Sequence, residues 1–382
     1  MQNQCREDQL VSLKKEFGYD IGLTSWKQLV KRLKIPTVRT QKLPLATVEK
    51  AVVDEVGKDP TQSRGPDFIQ DQLQLKMILP PRDLIRKIML DKFPDGFDNR
   101  FPGKKGKRVT RVPLHALGPY HEVSSDGHEK IAPSALRMGG VGFSIYGFKD
   151  KFADYLLFLK IHPDVRSRGA DIPIQLTTDK GSEVGWLYAF MSTLREIYAA
   201  DIDKDLYPFH VLIKSIHNTV IEGFWRQLKE KLGLNLKDFL LRGKIEHLFN
   251  AHDPRHEPLL YWIFAPLIQA ELDNFKLWWN HHRVRHQHEK ILLSGHVPAH
   301  ALDFPELFGA LECRISIPQE AIDNLREQLT EEEGPREDYQ TWPGLTPEFN
   351  VYAADTSVWQ PASVAKDVNV RNQGPGPVDG GT

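Results

Sequence analysis

The chain has 382 residues, 40% of them hydrophobic, enough for two or three compact units with buried cores. Residues 1–10 are polar and lack a signal peptide's apolar core, and the longest apolar stretch, near Leu259–Ile268, is about half of the ~20 residues a membrane span needs, so a soluble chain with no membrane partner is expected. Cys5 and Cys313 lie too far apart in sequence to suggest a disulfide framework or a zinc finger. The net charge of −1 is uneven: residues 320–382 hold 12 acids against 4 bases, which leaves about +7 on residues 1–319.

In chain order, residues 9–34 read as helix, break, helix. Leu10, Leu13 and Phe17 have helical spacing, Gly18 and Gly22 punctuate the turn, and Trp26, Leu29, Val30 and Leu33 form a second stripe. Lys27 and Lys31 lie off that stripe. A similar pair follows at 66–92: Phe68, Leu73 and Leu75, a break at Pro80-Pro81, then Leu84, Ile85, Ile88 and Met89, with Arg82 and Arg86 on the polar side. Two helical pairs with basic second helices suggest helix-turn-helix DNA binding through Lys27, Lys31, Arg82 and Arg86; plain helical hairpins with solvated faces are the alternative. Residues 102–112, with Lys104, Lys105, Lys107 and Arg108, form a basic linker that could lie along phosphates, serve as a nuclear address or simply be solvated.

The pattern then turns strand-like. Tyr120–Ser125, Val141–Phe148, Tyr155–Ile161, Ile172–Thr177 and Phe209–Ile213 read as strands, with a helix over 182–199. From Ser215 to Trp279 the chain reads as helical, broken near Gly233 and at His252–Pro258. Beyond about Thr330 it is rich in Pro, Gly and acid, without a period, and is expected to be disordered. Strands, helix, strand and then helices make an α/β fold.

Three acids stand out. Asp126 follows the first strand, Asp179 ends the run IPIQLTTD, and Glu222 lies inside the helix SIHNTVIEGFWRQLKEKL. Acids at the carboxyl ends of neighbouring strands project into one crevice, and a third from an adjacent helix completes an oxygen cage for hard divalent cations. On that helix Ile221, Trp225, Leu228 and Leu232 fall on one face and Glu222, Arg226 and Lys229 on another, so a candidate ligand and two phosphate-binding cations share a side. Taken singly, Glu222 and Arg226 could equally be a surface i,i+4 pair. His281, His282, His286 and His288, interleaved with Arg283, Arg285 and Lys290, read as a polar helix end rather than a metal site.

The segments D126-G-H-E-K, T-T-D179-K-G-S-E and H217-N-x-x-I-E222-x-x-W, in this order, resemble the motifs of integrase core domain proteins of eukaryotic, notably fungal, mobile elements, within the retroviral-integrase-like superfamily. The resemblance spans roughly residues 10–325. It implies a ribonuclease-H-like core with a mixed five-stranded sheet, and Asp126, Asp179 and Glu222 as catalytic residues and ligands of two divalent cations, Mg²⁺ or Mn²⁺. It also implies DNA partners (element ends and target DNA) bound in part by Lys180, Asn218, Arg226 and Lys229, a homo-oligomer assembled on DNA, and a nuclear protein, cytoplasmic before import. The corresponding division is 1–60 and 61–101 for the two helix-turn-helix-like units, 102–115 for the linker, 116–250 for the core, 251–330 for a helical extension and 331–382 for an acidic tail.

One departure from the family pattern is visible. Only His162–Asp171 separate the third strand from the next, where relatives carry a crossover helix, and a parallel crossover normally takes a dozen residues or more. A shortened connection is expected to leave Leu157 or Leu159 uncovered and the Asp179 strand loosely held. Three readings follow: an active integrase or transposase, an inactive DNA-binding or structural derivative, or a ribonuclease-H-like nuclease acting on RNA.

Overall fold

The computed structural model describes residues 6–94, 96, 114–127, 143–161, 171–179, 184–213, 218–246, 250, 253, 256–288 and 290–333. The basic linker residues Lys104, Lys105, Lys107 and Arg108, the short connection at 162–170, Lys180 and the acidic tail from 334 lie outside them.

The chain opens with two helices, α1 (Arg6–Phe17) and α2 (Leu23–Arg32), joined through Gly18, whose φ of +70° suits a residue without Cβ. The next three helices, α3 (Leu45–Gly57), α4 (Pro66–Leu75) and α5 (Arg82–Lys92), pack on one another. Val48, Val52 and Val56 of α3 share a core with Phe68, Ile69, Leu73, Ile85, Ile88 and Met89, so the pair at 66–92 has a third helix. The α3–α4 turn is tied to the rest of the molecule by side chains. Asp59 Oδ1 accepts from Asn235 Nδ2 at 2.9 Å, and the buried Arg64 donates through Nε to the Lys231 carbonyl at 2.9 Å; within α4, Asp71 accepts from Trp278 Nε1 at 3.1 Å.

The central sheet has the order β3-β2-β1-β5-β6. β1 (Glu122–Gly127), β2 (Ile145–Asp150) and β3 (Leu156–Ile161) are an antiparallel meander; β5 (Gln175–Asp179) runs parallel to β1, and β6 (His210–Ile213) parallel to β5. This is the mixed five-stranded sheet expected above. Ile172, read as the start of the Asp179 strand, instead forms with Asp171 a separate two-residue strand, β4, antiparallel to β7 (Ile315–Ser316). A one-dimensional pattern hides this because the partner lies far along the chain.

One face of the sheet is covered by α6 (Val184–Tyr198), where Leu187 and Met191 meet Val123, Phe148, Leu157, Leu176 and Phe209. The other face carries α7 (Thr219–Leu228), which runs through one π turn (Lys229–Gly233) into α8 (Leu234–Ile245). Gly233 therefore closes a wide turn and does not break the helix. The long α9 (His256–His281) packs along β3. Its polar side chains pair with the outer edge of that strand: Asn280 with both Leu156 N and O, Lys276 with Leu157 O, and Gln269 with Leu159 O and Ile161 N, all at 2.7–3.2 Å.

The expectation of uncovered apolar residues fails for β3. Leu159 is 1% exposed and shares a core with Ile221, Trp225, Leu272 and Phe275. Leu157 is half-buried and packs toward α6 beside Phe148, because the irregularity in the β2–β3 ladder at Phe148/Lys149 shifts its side. Beyond α9, α10 (Pro298–Asp303) packs Ala301 and Leu302 on Phe152 and Ala153, and α11 (Gln319–Glu333) packs Ile322 against Leu194, Ala199, Ile315 and Ile317.

At the far end of β2, Asp150 is fully buried and receives the backbone N–H groups of Ala153 (2.6 Å) and Tyr120 (2.7 Å). Burial, the larger effect, pushes its carboxyl up to about 7 despite those donors. A folded-state value above the ordinary 3.8 means that the native protein binds the extra proton. The group's contribution is therefore greatest below the ordinary value and is lost as pH rises through about 7. Relative to Asp150→Asn, the unsubstituted protein should lose stability steadily over that window; parallel pH profiles in urea titrations would refute this.

Candidate active site

The site is assembled from the sheet outward. The parallel β1–β5 ladder pairs Val123 with Leu176 and Ser124 with Thr177. Two residues further along each strand stand Asp126 and Asp179, at the same carboxyl end of the sheet. Asp179 remains paired with Ile213 of β6. Thr178 Oγ1 lies 2.9 Å from His210 Nε2, which braces β5 against β6 one residue before the acid; burial holds the His210 pKa below its usual range.

Glu222 lies on α7, which is fastened across β1 and β2 by three contacts. Asn218, 2% exposed, donates through Nδ2 to the Ser125 carbonyl at 3.3 Å. Lys149 of β2 donates through Nζ to the Val220 carbonyl at 3.2 Å. Trp225 donates through Nε1 to Asp126 Oδ2 at 3.0 Å. Ile221, Trp225, Leu228 and Leu232 are all buried, as the helical spacing predicts, and Phe224 joins them. Glu222 is half-buried, while Arg226 and Lys229 are exposed one and two turns further on.

The structure thus brings the backbones of Asp126 and Asp179 to one end of the sheet and docks the Glu222 helix across β1 and β2. Among the described residues it does not gather three His, Cys, Asp or Glu side chains into a group able to hold a metal ion. The donor set itself, carboxylate oxygens, suits Mg²⁺ or Mn²⁺.

Of the other sequence-predicted positions, Asn218 is buried and its amide holds the β1 backbone. Lys27 and Lys31 are exposed on α2, and Arg86 on α5. Arg82 is exposed but forms an ion pair with Asp67. His281 and His282 bond backbone carbonyls within α9, and His286 and His288 stack edge-on with centroids 4.5 Å apart. Lys149 and Trp225 are the site residues that sequence reasoning missed. An indole N–H on a buried helical face must find an acceptor, and Trp225 sits three residues from Glu222, so a signal for it was present.

No curated protein matches the chain. Residues 142–294 match the family model described as integrase core domain, an interval that includes Asp179 and Glu222 and begins after Asp126. The match implies a ribonuclease-H-like fold, with which the mixed sheet agrees. Residues 142–294 are therefore similar to an integrase core domain, which supports a place for this chain among retroviral-integrase-like proteins.

Proposed function

We propose that the protein is a DNA-cutting and DNA-joining enzyme of the integrase and transposase type, derived from a mobile element of fungal kind. It would act in the nucleus on element ends and target DNA as a homo-oligomer assembled there. The observation that carries this reading is the match of residues 142–294 to an integrase core domain on a mixed sheet ordered β3-β2-β1-β5-β6, with Asp126 and Asp179 on adjacent parallel strands. Two divalent cations, when bound, would supply the nucleophile and stabilise the leaving oxygen of an in-line displacement.

The protein's part is to hold and orient. Asp126 and Asp179, on adjacent parallel strands, would be ligands whose separation the sheet fixes, and Glu222 would be a third, set by the docking of α7. Arg226 and Lys229, on the exposed side of the same helix, would meet phosphates, and Lys180 follows Asp179 directly. Lys27, Lys31 and Arg86 would add sequence-independent affinity from the N-terminal helices.

The test is Mn²⁺-dependent nicking of a supercoiled plasmid. Asp126→Asn, Asp179→Asn and Glu222→Gln should each slow it about a thousandfold or more, since several kcal/mol of transition-state stabilisation are lost. Equal nicking by all three variants would remove the site assignment. A second reading, an inactive DNA-binding derivative, is favoured by the lack of a gathered three-acid group among the described residues. DNA binding without any nicking by the unsubstituted protein would select it.

A further inference from the structure

We propose that Trp225 is a positioning residue for Asp126, and that Gly147 is the vacancy in the sheet that lets it act. The inference rests on the integrase-type reading of the site. Trp225 is 1% exposed, yet its one polar atom is spent on the acid: Nε1 donates to Asp126 Oδ2 at 3.0 Å. A carboxylate held at one oxygen by a rigid indole loses rotational freedom about its terminal torsion, so its orientation is set by α7.

The ladder explains how the ring reaches the strand. Asp126 of β1 pairs directly with Gly147 of β2. A Cβ at Gly147 would stand 2.9 Å from Trp225 Cη2, closer than a Cβ normally approaches another atom, and a tight 3.2 Å from Cζ2. Gly147 has no need of a special backbone angle, since it lies within β2 and has no positive φ. Its value is the space above it. The indole lies in that space, and the same ring then reports to the residue opposite in the ladder. Helix, empty strand position and acid form one unit, and Glu222, three residues before Trp225, is set by the same docked helix.

Mere core packing would make the same ring buried but would be indifferent to its N–H. The decisive variant therefore removes only that group. 3-Benzothienylalanine at position 225 keeps the fused ring and replaces N–H by sulfur; Trp225→Phe and Gly147→Ala are the genetically encoded companions. Mn²⁺ binding to the full-length protein is measured by the loss of the free-ion electron paramagnetic resonance signal, with Asp126→Asn as reference and thermal melting as the fold control.

Loss of a partner that orients a metal ligand weakens binding about 10–100-fold, and that is the expected result for the benzothienyl protein with its melting temperature little changed. Gly147→Ala should weaken binding in the same direction by pushing the indole off the strand, even if Trp225→Phe proves too unstable to study. Undiminished Mn²⁺ affinity in the benzothienyl protein, while Asp126→Asn loses it, would overturn the positioning role and leave the integrase reading intact. Equal affinity in Asp126→Asn and the unsubstituted protein would instead overturn the metal site itself, and the positioning role with it.

Discussion

A chain ending at Ala310 is expected to lose about 5 kcal/mol of stability and to melt at least ~10 °C lower than the intact protein. The removed segment buries Ile315, Ile317 and Ile322 against Leu194 and Ala199. Each fully buried isoleucine contributes about 2 kcal/mol, and in a domain of this size a kilocalorie moves the midpoint by ~2 °C or more. The segment also pairs by backbone: Leu311 N with Leu117 O, Cys313 N with Pro119 O, and β7 with β4. Gly118 is pressed so closely on the Leu311 carbonyl that a Cβ there would collide with it.

All of this converges on the approach to β5. Ile174 N bonds Tyr120 O, and Arg195 of α6 reaches the Ile174 carbonyl. The truncated chain should therefore show faster amide exchange across residues 171–179 than across β2 and β3. Uniform acceleration over the whole sheet, or none, would refute that. The strand bearing Asp179 is thus secured by residues C-terminal to the integrase core match, which ends at 294.

Lys149→Ala should cost about 3 kcal/mol. The Lys149 side chain is 6% exposed, and its ammonium lies 2.6 Å from Asp154 Oδ1, with the Trp279 ring centroid 5.3 Å away. Removing one partner of such a pair strands the other charge away from water, at a typical cost of 3–5 kcal/mol, and the 22% exposure of Asp154 places this case at the lower end. Lys149 also holds the Val220 carbonyl, two residues before Glu222, so Mn²⁺ affinity should fall along with stability. Urea titrations of Lys149→Ala, Asp154→Asn and the double variant provide the check. If the double variant loses the full sum of the single losses, the two groups do not interact and the assignment of the pair is wrong.

Much of the site was legible because strand and helix periods are local. The run before Asp179 ends where β5 ends, and the stripe Ile221, Trp225, Leu228, Leu232 is the buried face of α7, whereas Asp126, expected just after its strand, lies inside β1. What escaped was non-local. Leu159 was expected at the surface because no helix followed it in sequence, but α9, a hundred residues later, covers it. Ile172 looked like the start of the Asp179 strand because its partner, Ile315, lies far downstream. The family resemblance implied a DNA contact at Asn218, and only the three-dimensional fold reveals the Ser125 carbonyl its amide serves. Gly147 carries no turn signal at all, and its role appears only once Trp225 is placed above it.

The polar row on α9 has a further consequence for how copies of this protein can meet. An outermost strand with unpaired amides and carbonyls is a template for any extended segment, and proteins commonly guard such a border with charge, bulges or a covering element. Here Gln269, Lys276 and Asn280 occupy the hydrogen-bonding positions of β3 one by one, which blocks strand addition as effectively as a neighbouring strand would. The β3 border is thereby closed to strand exchange, and association that keeps α9 docked must use helical faces or another margin of the sheet.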